Sequence, residues 1–264
     1  MDLITVDFET YYDKDFSLRK VTTEAYIRDP QFEVIGVGVK VNDGQTEWAS
    51  GTHEQIKSYL HTFDWADAML LCHNTMFDGA ILAWIFDVRP RVLADTLCIA
   101  RALHGVEVGG SLHALTQRYN LGTKGTEVLD AKGKHRLDFT PEELGRYGDY
   151  CINDVELTYK LFMKRAKGFP RQEMRIIDMT LRMFTEPMLD LDIGLLRQHL
   201  ENTKKIKEDL IESSGVTREQ LMSNPKFAEL LVSMNVEPPM KTSLTTGKET
   251  YAFAKNDEAF KALQ

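Results

Sequence analysis

Cysteine is scarce and unpaired in sequence: the three residues, Cys72, Cys98 and Cys151, stand far apart with no C-x-x-C spacing. This excludes a disulfide-built scaffold or a thiolate zinc site and leaves buried, reduced thiols as the expectation. Positive charge is outweighed, with 32 Lys and Arg against 40 Asp and Glu and a formal net charge of -8. A protein that coats nucleic acid in bulk would be basic. Any grip on a polyanion must therefore come from local patches or bound cations. No apolar run approaches the roughly 18 residues of a membrane span, and no basic stretch followed by an apolar one opens the chain. The expectation is a soluble, cytoplasmic chain with no membrane partner. None of the 7 histidines makes a metal-ligand spacing, so solvated or capping roles are expected for them. Neither a nucleophile elbow nor a phosphate-cradling glycine loop is present.

What is present is patterned as an ordinary globular chain of 264 residues, 43% hydrophobic and 27% charged. That suffices for one large domain, or a domain with an appendage. LITVDF (3–8) is an apolar, β-branched run, and VIGVGVKV (34–41) with TEWAS (46–50) flank a turn-rich NDGQ as a hairpin. AMLLCHN (68–74) and RVLADT (91–96) read as short strands. Helical spacing covers 53–63, 76–86, LCIARALH (97–104) and 111–121, the last opened by Ser111 as N-cap. KGTEVLDAKGKHR (124–136) has the glycine and charge density of an exposed loop. TPEEL (140–144) is a capping box with Pro at the first helical position, opening a helix that runs to about Lys167. This order predicts an α/β fold over 1–168, a ribonuclease H-like mixed sheet flanked by helices.

Beyond GFPRQ (168–172) helices take over. Met174, Ile177, Leu181 and Phe184 form one stripe, PMLDLDI (187–193) is an extended break, and a second helix over 194–214 has a narrow apolar stripe that needs a partner. The tail over 236–264 has too little apolar content for a core of its own. A domain boundary is expected near 168–172, with a mostly α-helical segment (169–264) after it.

The chemistry sits in carboxylates. In VDFET (6–10), Asp7 and Glu9 lie two apart on a strand and point to one face. In HNTMFDGAIL (73–82), Asp78 occupies the first turn of a helix, where the macrodipole favours an acid. In YGDYCINDVELTYKLF (147–162), Tyr150 and Asp154 are four apart and share a helical face. Each is commonplace alone. Together, on these elements, they converge at one edge of the sheet. Four acids cannot share a small site without cations, because their repulsion raises their pKa values. An all-oxygen set suits Mg2+ or Mn2+ rather than zinc. Two such ions roughly 4 Å apart clamp the attacking and leaving oxygens of an in-line phosphoryl displacement.

In this order DFET, HNTMFD and YCIND resemble the three exonuclease motifs of the DEDD superfamily of 3'→5' exonucleases, over about 1–168. The Tyr four residues before the last Asp is similar to its tyrosine-type, or DEDDy, branch. The resemblance implies two divalent metal ions (Mg2+ or Mn2+), bridged by Asp7. Glu9 and Asp154 would complete the nucleophile-side ion, Asp78 would hold the second, and Tyr150 would hydrogen-bond the attacking water. The product would be a nucleoside 5'-monophosphate. Thr10 and Asn74 are candidate contacts to the terminal nucleotide, and Phe8 and Phe77 either line its pocket or pack in the core. Asp95 either supports the site from behind or is plainly structural. Asp149 points off the face of Tyr150, and Tyr147 lacks the four-residue spacing to Asp154.

EMRIIDMTLRMFTEPMLDLD (173–192) and FAELLVSMNVEPPMKTSLTTGKETYAFAKND (227–257) are similar to the segments that lead family A (DNA polymerase I-like) enzymes of the phage type from exonuclease through thumb toward palm. The palm and fingers motifs are missing. The resemblance therefore implies the proofreading part of a truncated or split DNA polymerase, in a bacterial or phage-infected cytoplasm. Its partners would be the single-stranded 3' end of DNA and a polymerase half on a separate chain. Two rivals stand beside it: a stand-alone RNA-processing exonuclease of the same superfamily, and a non-catalytic DNA-holding scaffold. KKIK (204–207) alternates with acids and reads as a solvated helix face.

Overall fold

The first strand, β1 (Asp2–Thr10), alternates so that Ile4, Val6 and Phe8 are buried in the main core while Asp7 and Glu9 lie on the other face. The computed structural model describes residues 1–107, 109–123, 131–243 and 246–263. β1 is central in a five-stranded sheet with β2 (Val34–Val41), β3 (Glu47–Ala49), β4 (Ala68–Cys72) and β5 (Val92–Asp95), in the order β3-β2-β1-β4-β5. β3, β2 and β1 run antiparallel, and β1, β4 and β5 run parallel. The expected mixed α/β sheet is thus the one observed. Between the strands lie α1 (Thr23–Arg28), α2 (His53–Leu60) and α3 (Thr75–Ile85), followed by α4 (Thr96–His104), α5 (Leu112–Tyr119) and α6 (Pro141–Arg165). Of the expected loop at 124–136, residues 124–130 lie outside the described residues, and a 3-10 turn at Arg136–Asp138 follows.

Local chemistry fixes the helix starts. Ser111 accepts from the Ala114 N–H, and Thr140 and Glu143 form a capping box with Pro141 in the first turn. α6 then runs 25 residues, covering the face of β1 and β2 opposite the main core. On the core side Leu70, Ile81, Leu82 and Phe86 are fully buried, each apolar side chain contributing about 1.5–3 kcal/mol.

The chain divides into two compact units, Met1–Met188 and Leu189–Gln264. The first reaches beyond the change of character near 168–172, because α7 (Arg171–Thr185) packs on β5 and α3. Leu181 is buried with that core, the Leu93 N–H donates to Asp178 Oδ1 at 2.8 Å, and the Trp84 indole donates to the Thr185 carbonyl at 2.8 Å. The second unit contains α8 (Ile193–Ser214), which buries none of its residues, then α9 (Arg218–Met222) and α10 (Asn224–Ser233). A hairpin of β6 (Met240–Thr242) and β7 (Glu249–Tyr251) precedes α11 (Glu258–Lys261). The tail packs its aromatics on α10: Phe253 and Phe260 cluster with Phe227, and Tyr251 stacks on Phe253. Few residues suffice because each ring buries a large area. Among the described residues no helix is long and apolar enough to cross a membrane.

Candidate active site

Asp7 is half-buried and Glu9 is 7% exposed, both on the face of β1 that α6 covers. The β1–β2 register slips between Glu9 and Thr10, an irregularity of the kind that re-aims side chains beside a site. Phe8, a candidate lining residue, belongs to the core instead. It stacks on Phe86 with ring centroids 5.8 Å apart. The period of the strand decides this, since both of its neighbours face the site and it therefore faces away. Its backbone serves the site nonetheless, because the Phe8 N–H donates to Asp78 Oδ1 at 3.0 Å.

Asp78 is placed by the turn from β4 into α3. Asn74 sits in the left-handed region, φ 77° and ψ 54°, which Asn tolerates better than other residues with a Cβ. Its side chain is exposed and its N–H donates to Asp95 Oδ1 at 2.9 Å. Asp95 also caps α4, accepting from the Leu97 N–H at 2.8 Å. Asp95 thereby ties the end of β5 to the end of β4, and its charge also reaches Asp78. His73 is neither solvated nor a cap: one ring nitrogen meets Thr96 Oγ1 and the other the Gly110 carbonyl, both at 2.8 Å.

α6 approaches closely because glycine stands at the contact. A Cβ on Gly38 would lie 2.9 Å from Cys151 Sγ, and one on Gly148 would lie 2.6 Å from Trp48 Cδ1. This brings Tyr150 and Asp154, both buried, over β1, with the Tyr150 hydroxyl hydrogen-bonded to Asp154. Asp149 is exposed, off that face. Two neighbours were not among the sequence candidates. Tyr147 donates its hydroxyl to Glu9 Oε2 at 2.5 Å and stacks on Tyr150. The Cys151 thiol donates to the Asp7 carbonyl at 3.3 Å and lies 3.8 Å from Asp7 Oδ2. Tyr147 is one helical turn before Tyr150, but its spacing to Asp154 set it aside in the sequence. Its partner lies 138 residues away in sequence, and no local pattern names it.

Electrostatics give each group a role. Burial pushes the Asp78 carboxyl well above the usual carboxylate range, and the charge of Asp7 pushes it further. The Phe8 N–H acts in the opposite sense. Burial also drives the Tyr150 phenol far up, with Asp154, Glu9 and Asp7 adding to the effect. For Tyr147 burial comes first and Glu9 second. Both shifts favour the protonated phenol, which can donate a hydrogen bond. Asp7, Glu9 and Cys151 each bring a possible ligand atom within 4.8 Å of the others. The charges that act most on Asp78 are those of Asp7 and Asp95, both negative. Acids buried among acids fit a divalent cation, and the predominance of carboxylate oxygen fits a hard one. Thr10 and Phe77 stand next along the chain to Glu9 and Asp78, and both line a cavity of about 630 Å3. Thr10 Oγ1 is 2.9 Å from the Tyr26 hydroxyl, and Phe77 lies against the Tyr26 ring.

Comparison with known proteins gives the site a family. A 3'-5' exonuclease family matches residues 2–167. No curated protein matches the chain. Among solved structures, Trypanosoma brucei RNase D is similar at TM-score 0.54 and 12% identity, over 72% of this chain and 68% of that one. Brucella melitensis NrnC is similar at TM-score 0.50 and 14% identity, over 72% of this chain and 89% of that one. The catalytic core of Trypanosoma brucei RRP6 gives TM-score 0.50 and 14% identity, over 88% of this chain and 57% of that one. At such identities these likenesses concern the fold. The family match takes in all five strands of the sheet and the whole of α6, and on that ground the chain belongs to the 3'-5' exonucleases.

Proposed function

We propose that the chain is a two-metal 3'→5' exonuclease that removes the last nucleotide of a single strand as a nucleoside 5'-monophosphate. What supports this reading is the clustering of possible ligand atoms of Asp7 and Glu9, with Asp78 held by the Phe8 N–H and acted on by the charge of Asp7, and Tyr150, hydrogen-bonded to Asp154, acted on by the charges of Glu9 and Asp7. Asp7, Glu9 and Asp154 would hold one divalent ion, and Asp78 would take part in holding a second. Two divalent ions supply Lewis-acid stabilisation of the attacking and leaving oxygens. Tyr150 donates a hydrogen bond to orient the nucleophile, which sets proximity and direction without removing a proton. Tyr147 and the Phe8 N–H are positioning groups, one holding Glu9 and the other holding Asp78. Thr10, Asn74 and Phe77 remain candidates for contact with the terminal nucleotide.

Two strand chemistries are in play. The resemblance of 173–192 and 227–257 to family A polymerases supports DNA proofreading, with 169–264 as the start of a thumb. One structural neighbour supports a stand-alone RNA exonuclease: Trypanosoma brucei RNase D, which has also been solved with a bound RNA. That neighbour favours this second reading. The test uses 5'-labelled DNA and RNA of equal sequence, with Mg2+ or chelator, beside Asp7→Ala. Metal-dependent shortening from the 3' end that Asp7→Ala abolishes is the expected result. Faster DNA shortening supports proofreading, and faster RNA shortening supports the neighbour's chemistry. Cleavage of neither strand by folded, metal-supplied protein overturns the enzyme reading and leaves the scaffold.

A further inference from the structure

The cavity that begins at Thr10 and Phe77 continues outward to Lys14, Arg19, Lys20 and Lys132. All four cations are exposed, and among the described residues none is engaged in an ion pair. Such a gathering is unexpected on a chain of net charge -8. It escapes a sequence reading because Lys132 comes from a segment more than a hundred residues beyond the others. The segment that carries the first three is built, not loose. Asp13 Oδ1 accepts from the N–H groups of Asp15 and Phe16 at 2.7 and 2.6 Å, and Asp13 Oδ2 accepts from the Tyr11 hydroxyl at 2.8 Å. The Gly133 N–H donates to the Tyr12 carbonyl at 2.8 Å, which moors Lys132 to the same rim. Leu18, 47% exposed, supplies an apolar surface on the wall between the cations.

We propose that this cavity seats the strand behind the scissile bond, its four cations taking backbone phosphates of the nucleotides 5' to the terminal one. The proposal rests on the exonuclease reading above and extends it to residues outside the three carboxylate motifs. The inner wall is nearest the carboxylates at Tyr12 and Tyr26, which line the cavity and both feel the charge of Glu9. A strand whose 3' end is at the carboxylates leads from there across the cations. A cavity of about 630 Å3 is within the range of ligand sites, roughly 300–1,000 Å3. Lysines and an arginine bind phosphates through charge, without reading sequence, and of the four Lys132 also acts on Asp13 in the cavity wall.

The experiment measures affinity for a labelled single-stranded 20-mer as a function of salt, with Ca2+ in place of Mg2+. Wild type is compared with Arg19→Glu/Lys20→Glu, with Lys14→Glu/Lys132→Glu and, as a control outside the cavity, with the exposed Arg89→Glu. Each lost phosphate contact lowers the slope of log K against log salt by about 0.7 for a single strand. Each double variant should therefore lose about 1.4 of slope and bind about tenfold or more weakly at low salt, with Arg89→Glu unchanged. In Mg2+, kcat/KM should fall at least tenfold more for the 20-mer than for a dinucleotide, which has almost no strand to seat. Slopes and length dependence equal to wild type would overturn the proposal. A wild-type protein that shortens no strand but keeps the variant-dependent slope would sink the exonuclease reading and leave the phosphate site standing. The two failures are thereby distinguishable.

Discussion

Tyr147 is the residue whose importance the geometry most changes. Its hydroxyl holds Glu9 Oε2 at 2.5 Å in a buried setting, and hydrogen bonds to charged groups contribute about 1.5–3 kcal/mol. Tyr147→Phe leaves the ring stacked and removes only that hold. The expected result is a fall in kcat/KM of about tenfold, equivalent to about 1.4 kcal/mol, with weaker metal activation. A metal titration of activity checks this, and an unchanged midpoint would show that Glu9 is held by other means. Asp7 gives a second prediction. Repulsion among the acids destabilises the metal-free protein, so Mn2+ at a hundred times its Kd should stabilise it by about 2.7 kcal/mol. Asp7→Asn should raise the metal-free Tm and abolish most of the Mn2+ response, as read by thermal melts with and without chelator. The four carboxylates and Tyr150 could be named as candidates from the sequence because each lies in a short motif on a recognisable element. Tyr147, Cys151 and the cations of the cavity could not. Their meaning depends on partners brought near only by the fold.

At the scale of elements, α6 joins the sheet to the site, and its start and its middle are fixed by different physics. The start is electrostatic. Glu143 accepts from Lys134 Nζ and from the Thr140 N–H, and these contacts, Lys134 first, hold its carboxyl down at about 2, against an ordinary 4.5. A depressed carboxylate contributes stability that is present above its unfolded pKa and is lost as pH falls through its folded one. The stability it adds should therefore fade between about pH 4.5 and 2. Glu143→Gln should flatten the Tm profile in that window alone, and a parallel shift at all pH would contradict the assignment. The middle is steric. A Cβ at Gly148 would meet Trp48 at 2.6 Å, and such overpacking costs about 1–3 kcal/mol. Gly148→Ala should lower stability by that amount and reduce activity beyond it, because Tyr147 and Tyr150 flank the displaced turn. Strands and long helices were readable from alternation and caps. α1, with six residues, and the short elements after Gly215 were not. They are too short to establish a period, and packing creates them where propensity is weak.

At the scale of the whole molecule, the extent of the family match and the extent of the compact unit differ, and the difference is testable. The match ends at 167, whereas the first unit ends at Met188. Between them lies α7, which contributes the buried Leu181 to the main core, Asp178 to the Leu93 N–H and the Thr185 carbonyl to Trp84. One buried leucine at about 1.5–3 kcal/mol and two hydrogen bonds at about 0.5–1.5 kcal/mol each sum to several kcal/mol. Arg182 adds to this by donating to the Pro90 and Arg91 carbonyls at the approach to β5. Set against the 5–15 kcal/mol that typically separates folded from unfolded, that loss is a large fraction. A chain ending at Met188 should melt cooperatively and keep metal-dependent 3'→5' exonuclease activity, since every core cluster around the carboxylates lies within it. A chain ending at Lys167 should melt far lower or fail to accumulate, although it contains every carboxylate and Tyr150. If the shorter chain were as stable and active as the longer, α7 would belong functionally with the segment after it, as the change of sequence character at 168–172 suggests. If only the longer chain works, the exonuclease is completed by a helix that its family motif does not include.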